Sequence, residues 1–274
     1  MTTRNTSRRD MLKGGAAAAA TLLAPEISQA AKASDIPRKA PDETRVVFLG
    51  GDYLHNFDAQ RGALRRICEK AGWKFYDLHD ARFLTPELVA SADLLMIQRW
   101  GGGVPGWTEG PIHTEGSTND NFMSDELEAT IIDNVTKRGM GFMSLHCTVA
   151  NWDRPNFMKF MGVNGIIHGP LQLVHCHDFN QDHPITQGIE DFDIPWDENF
   201  GAEPTGPDVD ILYEATGGID KRHDIAGWAV KRGKGRVAGL TAGHTYFAFR
   251  DPNYLELYRR AAWWALGREI PAKS

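Results

Sequence analysis

The chain has 274 residues, a formal net charge of -6 at pH 7, 42% hydrophobic and 24% charged residues, proportions that exclude a disordered or collagen-like chain. Residues 1–30 carry Arg4, Arg8, Arg9 and Lys13 against Asp10 and Glu26, so residues 31–274 hold about -8, an acidic balance that argues against nucleic-acid binding. Their number suits one domain able to bury a substantial core.

Ser7-Arg8-Arg9-Asp10-Met11-Leu12-Lys13 precedes a small, weakly apolar run from Gly14 to Ala24 and the small-residue cleavage pattern Ser28-Gln29-Ala30. Together these resemble a twin-arginine export signal, with Met11 where phenylalanine is commoner. The expected organisation is a signal peptide at 1–30, a flexible polar linker at 31–43 and one domain at 44–268, in a periplasmic or secreted protein. The apolar run is short and rich in Ala and Gly for a membrane span, and no later segment resembles one. The expected partner at the membrane is therefore the twin-arginine export machinery. That route carries folded proteins, which permits a cofactor acquired before export. Cys68, Cys147 and Cys176 are odd in number and lack CxxC spacing, which suggests neither a disulfide framework nor a Cys-rich zinc site.

Arg45 to Gly51 is a short apolar run ending in glycine, the pattern of a buried strand entering a loop. Ala63, Leu64, Ile67, Cys68 and Ala71 follow at helical spacing, and Gly72 closes that helix. A strand is predicted from Trp73 to Leu78, and Thr85-Pro86 reads as an N-cap with Pro at the first helical position. Leu94 to Ile97 is the next buried strand, opening into a long polar, glycine-rich stretch from Arg99 to Met123, long enough to be a lid or an insert. Ser124 caps a helix carrying Leu127, Ile131 and Val135, which Gly139 ends, and Met140 to Leu145 is another strand. This alternation predicts an α/β fold: a doubly wound, mostly parallel sheet with helices on both faces. After residue 162 strands dominate, at Leu171–Asp178, Asp210–Thr216, Ile225–Val230 and Arg236–Thr241, with a tight turn at Gly233-Lys234-Gly235. A last helix runs from Asp251-Pro252 to Leu266.

Ligands of doubly wound sheets gather at the carboxyl ends of the strands. Four positions there draw attention: His55, His146, the pair Asp197-Glu198, and His244. Three histidines and one or two carboxylates on one edge suit a divalent metal, and equally a general acid and base without metal; spacing does not choose between them. His175 and His177 share a strand face by alternation, as a metal pair or as decoration of a solvated face. His146 sits where a strand meets a sharp turn, like a nucleophile elbow. The neighbouring Cys147 is either a thiol nucleophile at a helix start or a buried inert cysteine. Trp100, Trp107, Trp152 and Trp196 lie in or beside the loops of this edge, where aromatic faces stack on sugar rings.

Four segments in order resemble the ThuA-like (trehalose utilization) family: Gly139-Met140-Gly141-Phe142-Met143-Ser144-Leu145-His146, Asp182-His183-Pro184-Ile185-Thr186-Gln187-Gly188-Ile189, Asp197-Glu198, and Gly233-Lys234-Gly235-Arg236-Val237 running to Gly243-His244. The resemblance spans about residues 45–266 and implies a flavodoxin-like, class I glutamine amidotransferase-like fold. It places His146 where amidotransferases have their catalytic cysteine, which argues against glutamine hydrolysis. It implies sugar metabolism, with links to oxidised (3-keto) glycosides, whose ketone acidifies neighbouring C–H bonds. The reading that follows is a lyase, hydrolase or isomerase acting on a sugar derivative by acid/base, metal-assisted chemistry. His55, His146 and Asp197 are its catalytic candidates; His146, Glu198 and His244 would hold one divalent metal, and Trp100, Trp107, Trp152 and Trp196 would bind substrate. No nucleotide cofactor is expected. The alternatives are a non-catalytic carbohydrate-binding protein and a Cys147 thiol hydrolase.

Overall fold

Arg45–Gly50 forms β1, buried at every residue, which requires cover on both faces of the sheet. The structure, a computed structural model, describes residues 36–52, 54–55, 57–100, 122–151 and 153–272. The export-signal residues, Trp107, Trp152 and most of the Arg99–Met123 stretch lie outside the described residues.

From β1 the chain enters α1 (Asp58–Lys70), β2 (Lys74–Leu78), α2 (Pro86–Ser91), β3 (Leu94–Gln98), α3 (Asp125–Asp133) and β4 (Gly141–Leu145). The helix starts follow the expected chemistry. Thr85 Oγ1 accepts the Leu88 N–H at 3.3 Å, and Ser124 Oγ accepts the Leu127 N–H at 3.1 Å, each satisfying a donor the first turn leaves free. Beyond α4 (Pro155–Met161) come β5 (Val163–Ile166), β6 (Gln172–His177), β7 (Phe192–Asp197), β8 (Gly201–Pro204), β9 (Val209–Gly217), β10 (His223–Arg232), β11 (Gly235–Leu240) and α5 (Pro252–Ala265).

The strands order as β2-β1-β3-β4-β11-β10-β9-β6-β7, with β5 paired to β8 and β8 to β10. The first five in this order are parallel to their neighbours, which is the doubly wound core expected from the alternation. The remaining pairings are antiparallel. The chain after residue 162 contributes them because its strands follow one another through connections without the crossover helices that parallel pairing needs. Gly233 makes the hairpin between β10 and β11 possible: its φ is +57°, and a Cβ there would lie 2.3 Å from the Thr136 carbonyl oxygen.

Alternate residues of the central strands feed two cores. Val46, Phe48, Met96 and Met143 pack with Leu64 and Cys68 of α1 and with Leu257, Tyr258 and Ala261 of α5. On the opposite face Val47, Leu49, Leu95, Ile97 and Phe142 pack with Leu88, Val89, Leu127, Ile131 and Phe157. With both faces sealed, the loops at the carboxyl ends of β1, β3, β4 and β11 are the part of the sheet left to hold a ligand.

Candidate functional site

β4 ends at Leu145, and His146 leaves it with φ +44°, a left-handed conformation rare for a residue with a Cβ. Such a conformation costs on the order of 1–3 kcal/mol and persists where surrounding contacts enforce it. The enforcing contact is the bond from His146 Nδ1–H to the Thr241 carbonyl just beyond β11, at 2.7 Å. That bond sets the tautomer, so Nε2 carries the lone pair. Nε2 is buried and has no hydrogen-bond partner.

His55 arrives from the end of β1 through Gly50-Gly51-Asp52. Asp52 is the organiser of this corner: it accepts the backbone N–H groups of Leu54 at 2.9 Å, His55 at 3.1 Å and Trp100 at 2.9 Å. Its carboxylate also takes His55 Nδ1–H, at 2.6 Å to Oδ1 and 2.8 Å to Oδ2. Burial alone would raise the Asp52 carboxyl, but the His55 hydrogen bond and charge and these N–H groups hold it below the usual carboxylate range. His55 Nε2 is left as the ring nitrogen available to a ligand.

The third approach is from β7. Asp197 is fully buried, and its two oxygens accept the Gly243 N–H at 2.8 Å and the Thr245 N–H at 2.9 Å. It clamps the loop that carries His244. Burial pushes its carboxyl up to about 7 against the pull of those N–H groups. Both oxygens are thereby engaged by backbone, so the carboxyl fixes the position of that loop. The next residue, Glu198, has Oε1 3.1 Å from His244 Nδ1 and Oε2 2.8 Å from Nδ1 of His168. Neither Glu198 Oε2 nor His244 Nδ1 is aligned as a hydrogen bond. His168 also donates to the Gly169 carbonyl at 2.6 Å. Burial would lower His168, yet Glu198 and that carbonyl outweigh it and raise its pKa.

These approaches meet. His55, His146, Glu198 and His244 each offer one ligand atom, and the four atoms lie within 4.8 Å of one another. The three imidazoles pack edge to face with centroids 5.0 to 5.4 Å apart. Burial, reinforced by His55 and His244, holds His146 well below the ordinary imidazole range; burial also lowers His244, against the pull of Glu198. Both rings are therefore neutral near pH 7, the form that ligates metal. A buried group without a hydrogen bond, as His146 Nε2 is, is costly, and its meeting with Glu198, His244 and His55 within 4.8 Å fits a divalent cation.

Other candidates take different places. Cys147 is buried, its Sγ–H directed at Asp52 Oδ2 3.5 Å away, and burial together with Asp52 pushes the thiol well up. Burial and the raised thiol argue against a thiol hydrolase. Trp100 adjoins the site through its N–H on Asp52. Trp196 is 48% exposed, and its carbonyl accepts Thr245 Oγ1–H at 2.5 Å, beside the His244 loop. Sequence patterns alone do not single out Asp52, His168 or Thr241. Asp52 carries a signal, an Asp three residues before a histidine at a strand end, the spacing of a local Asx turn. His168 and Thr241 carry none.

Residues 45–265 match the model of a family described as trehalose utilisation, ThuA, and residues 5–25 match that of the twin-arginine translocation pathway signal sequence. Among solved structures, a ThuA-like protein of Parabacteroides merdae is 16% identical over 85% of this chain and 93% of its own, with a TM-score of 0.65. One from Bacteroides uniformis is 15% identical over 84% and 93%, with a TM-score of 0.60. A glutamine amidotransferase from Thermotoga maritima is 14% identical over 82% and 98%, with a TM-score of 0.50. At these identities the likeness is one of fold. No curated protein is similar to the chain at a significant level.

Proposed function

Because the chain belongs to the ThuA (trehalose utilisation) family and carries a signal that exports it through the twin-arginine pathway to the periplasm or beyond, we propose that it transforms a sugar derivative there by metal-assisted acid/base chemistry. His146, Glu198 and His244 hold one divalent ion, and the Asp52–His55 pair moves protons. The observation that carries this reading is the meeting of His146, Glu198 and His244, with His146 Nε2 buried and without a hydrogen bond, beside a carboxylate-backed imidazole.

An ion bound there would act as a Lewis acid on a ketone or hydroxyl oxygen of the sugar. The protein's own groups do the rest. His55 Nε2 accepts a proton from the carbon next to a ring ketone, the C–H electron pair moves onto the ketone oxygen, and Asp52 steadies the imidazolium. Return of that proton to the former ketone carbon, while the hydroxyl proton of the neighbouring carbon passes to the old ketone oxygen, moves the ketone by one carbon and isomerises the sugar. Departure of a β-oxygen substituent, with the proton, makes the reaction an elimination. Asp197 keeps the His244 loop in register through Gly243 and Thr245. Trp196 and Tyr246, both about half exposed and within two residues of Glu198 and His244, offer aromatic faces to the sugar ring.

Elemental analysis of the folded protein and turnover of 3-keto-glucosides with and without chelator test the proposal. One equivalent of metal and chelator-sensitive turnover are expected. Wild-type rates in His146→Ala and His244→Ala would overturn it, and sugar binding without turnover would favour a carbohydrate-binding role.

A further inference from the structure

The solvent face of the antiparallel half carries a second histidine group, none of whose members belongs to the first. His175 of β6 and His223 of β10 both pair with Thr216 of β9, making one row across three strands. His177 stands one pleat along β6, with its ring centroid 5.1 Å from that of His175 and 5.1 Å from that of His223. Each ring has one nitrogen on a carboxylate: His175 Nδ1 on Asp193 at 2.7 Å, His177 Nδ1 on Asp178 at 2.8 Å, and His223 Nε2 on Glu214.

The other nitrogens of two of these rings point at the same atom. His177 Nε2 lies 2.8 Å from Thr216 Oγ1, and His223 Nδ1 lies 3.2 Å from it. With the opposite nitrogens donating to carboxylates, both are lone-pair acceptors in the neutral rings. A hydroxyl has one proton to give. One nitrogen therefore faces an oxygen lone pair, an arrangement that a cation relieves. A carboxylate on the far nitrogen is also how metal-binding imidazoles are commonly held in tautomer and orientation.

We propose that His177 Nε2, His223 Nδ1 and the Thr216 hydroxyl form a surface site for a divalent transition ion. The imidazole-rich donor set selects Cu²⁺, Ni²⁺ or Zn²⁺ over Mg²⁺ or Ca²⁺, which prefer all-oxygen shells. Bound there, the ion ties β6 to β10 across β9. About half of the His223 side chain is exposed, so an ion reaches the site from solvent.

Calorimetric titration of Cu²⁺ into the wild-type chain and into His177→Gln, His223→Gln and His146→Ala tests the site. One binding event is expected to disappear in His177→Gln and in His223→Gln and to remain in His146→Ala, with imidazole-nitrogen couplings in the electron paramagnetic resonance spectrum lost in parallel. Unchanged thermal unfolding in chelator verifies that the surface variants fold. The proposal is overturned if the two surface variants bind copper with wild-type stoichiometry and affinity, or if the event vanishes in His146→Ala alone, which would assign it to the central group.

Discussion

His146 Nδ1–H donates to the carbonyl oxygen of Thr241 across 95 residues of sequence, and this one bond turns the other ring nitrogen into a buried lone pair facing His55, Glu198 and His244. β4 and β11 lie side by side in the sheet, with Leu145 opposite Leu240, so the residues just past each strand end are neighbours.

Asp52→Asn tests the proton-moving pair. The amide keeps one acceptor but loses the charge opposite His55, and an NH₂ group in place of Oδ2 meets the Trp100 N–H that this oxygen accepts. Metal affinity or turnover is expected to fall about 10- to 100-fold, with the fold retained by circular dichroism. Unchanged turnover and metal affinity would remove Asp52 from the machinery.

Asp197→Asn tests the loop clamp and carries a pH signature. A carboxyl raised to about 7 in the fold from an ordinary value of 3.8 binds more protons folded than unfolded between those values. Its contribution is therefore fully present below about pH 4 and is lost as pH rises through 7. The unfolding free energy of the wild type relative to Asp197→Asn is expected to decline across that window. Losing one of two anchoring bonds should also cost the variant about 1–3 kcal/mol. A difference independent of pH would show that Asp197 does not titrate in this range.

Native protein is expected to resist iodoacetamide at pH 8. Cys68, Cys147 and Cys176 are all buried, and burial raises each thiol, Cys68 to about 12. Labelling should appear only after denaturation, at all three. Rapid native alkylation of Cys147 would restore the thiol-enzyme alternative.

Trp196→Ala is expected to weaken sugar binding several-fold while leaving bound metal unchanged. A stacked aromatic ring is worth about 0.5–1.5 kcal/mol beyond its area, and the exposed indole holds no ligand. Equal affinities for the sugar would take Trp196 out of the binding surface.

Much of the parallel core is legible in the amino-acid sequence. The strands around Val46, Leu95 and Phe142 announce themselves as apolar runs, because a strand covered on both faces has no polar side to show. Thr85 and Ser124 mark helix starts through their own side chains. His55, His146, Glu198 and His244 stand out as polar residues stranded at strand ends. The weak signals are β5 and β8, of four residues each, too short to show a period, and His168, which sits in a loop without periodicity and acts only through Glu198.

The sequence by itself determined the export signal, the alternation behind the parallel core and which residues stand at its carboxyl edge. All of these depend on local composition or on periods of two and 3.6 residues. Only the tertiary structure decided that Asp52 holds His55, that Asp197 grips backbone, and that Cys147 is sealed. It also decided that His177 and His223 meet at Thr216. These depend on strand order and register, which bring together residues far apart in the chain, and on where each buried lone pair is left without a donor.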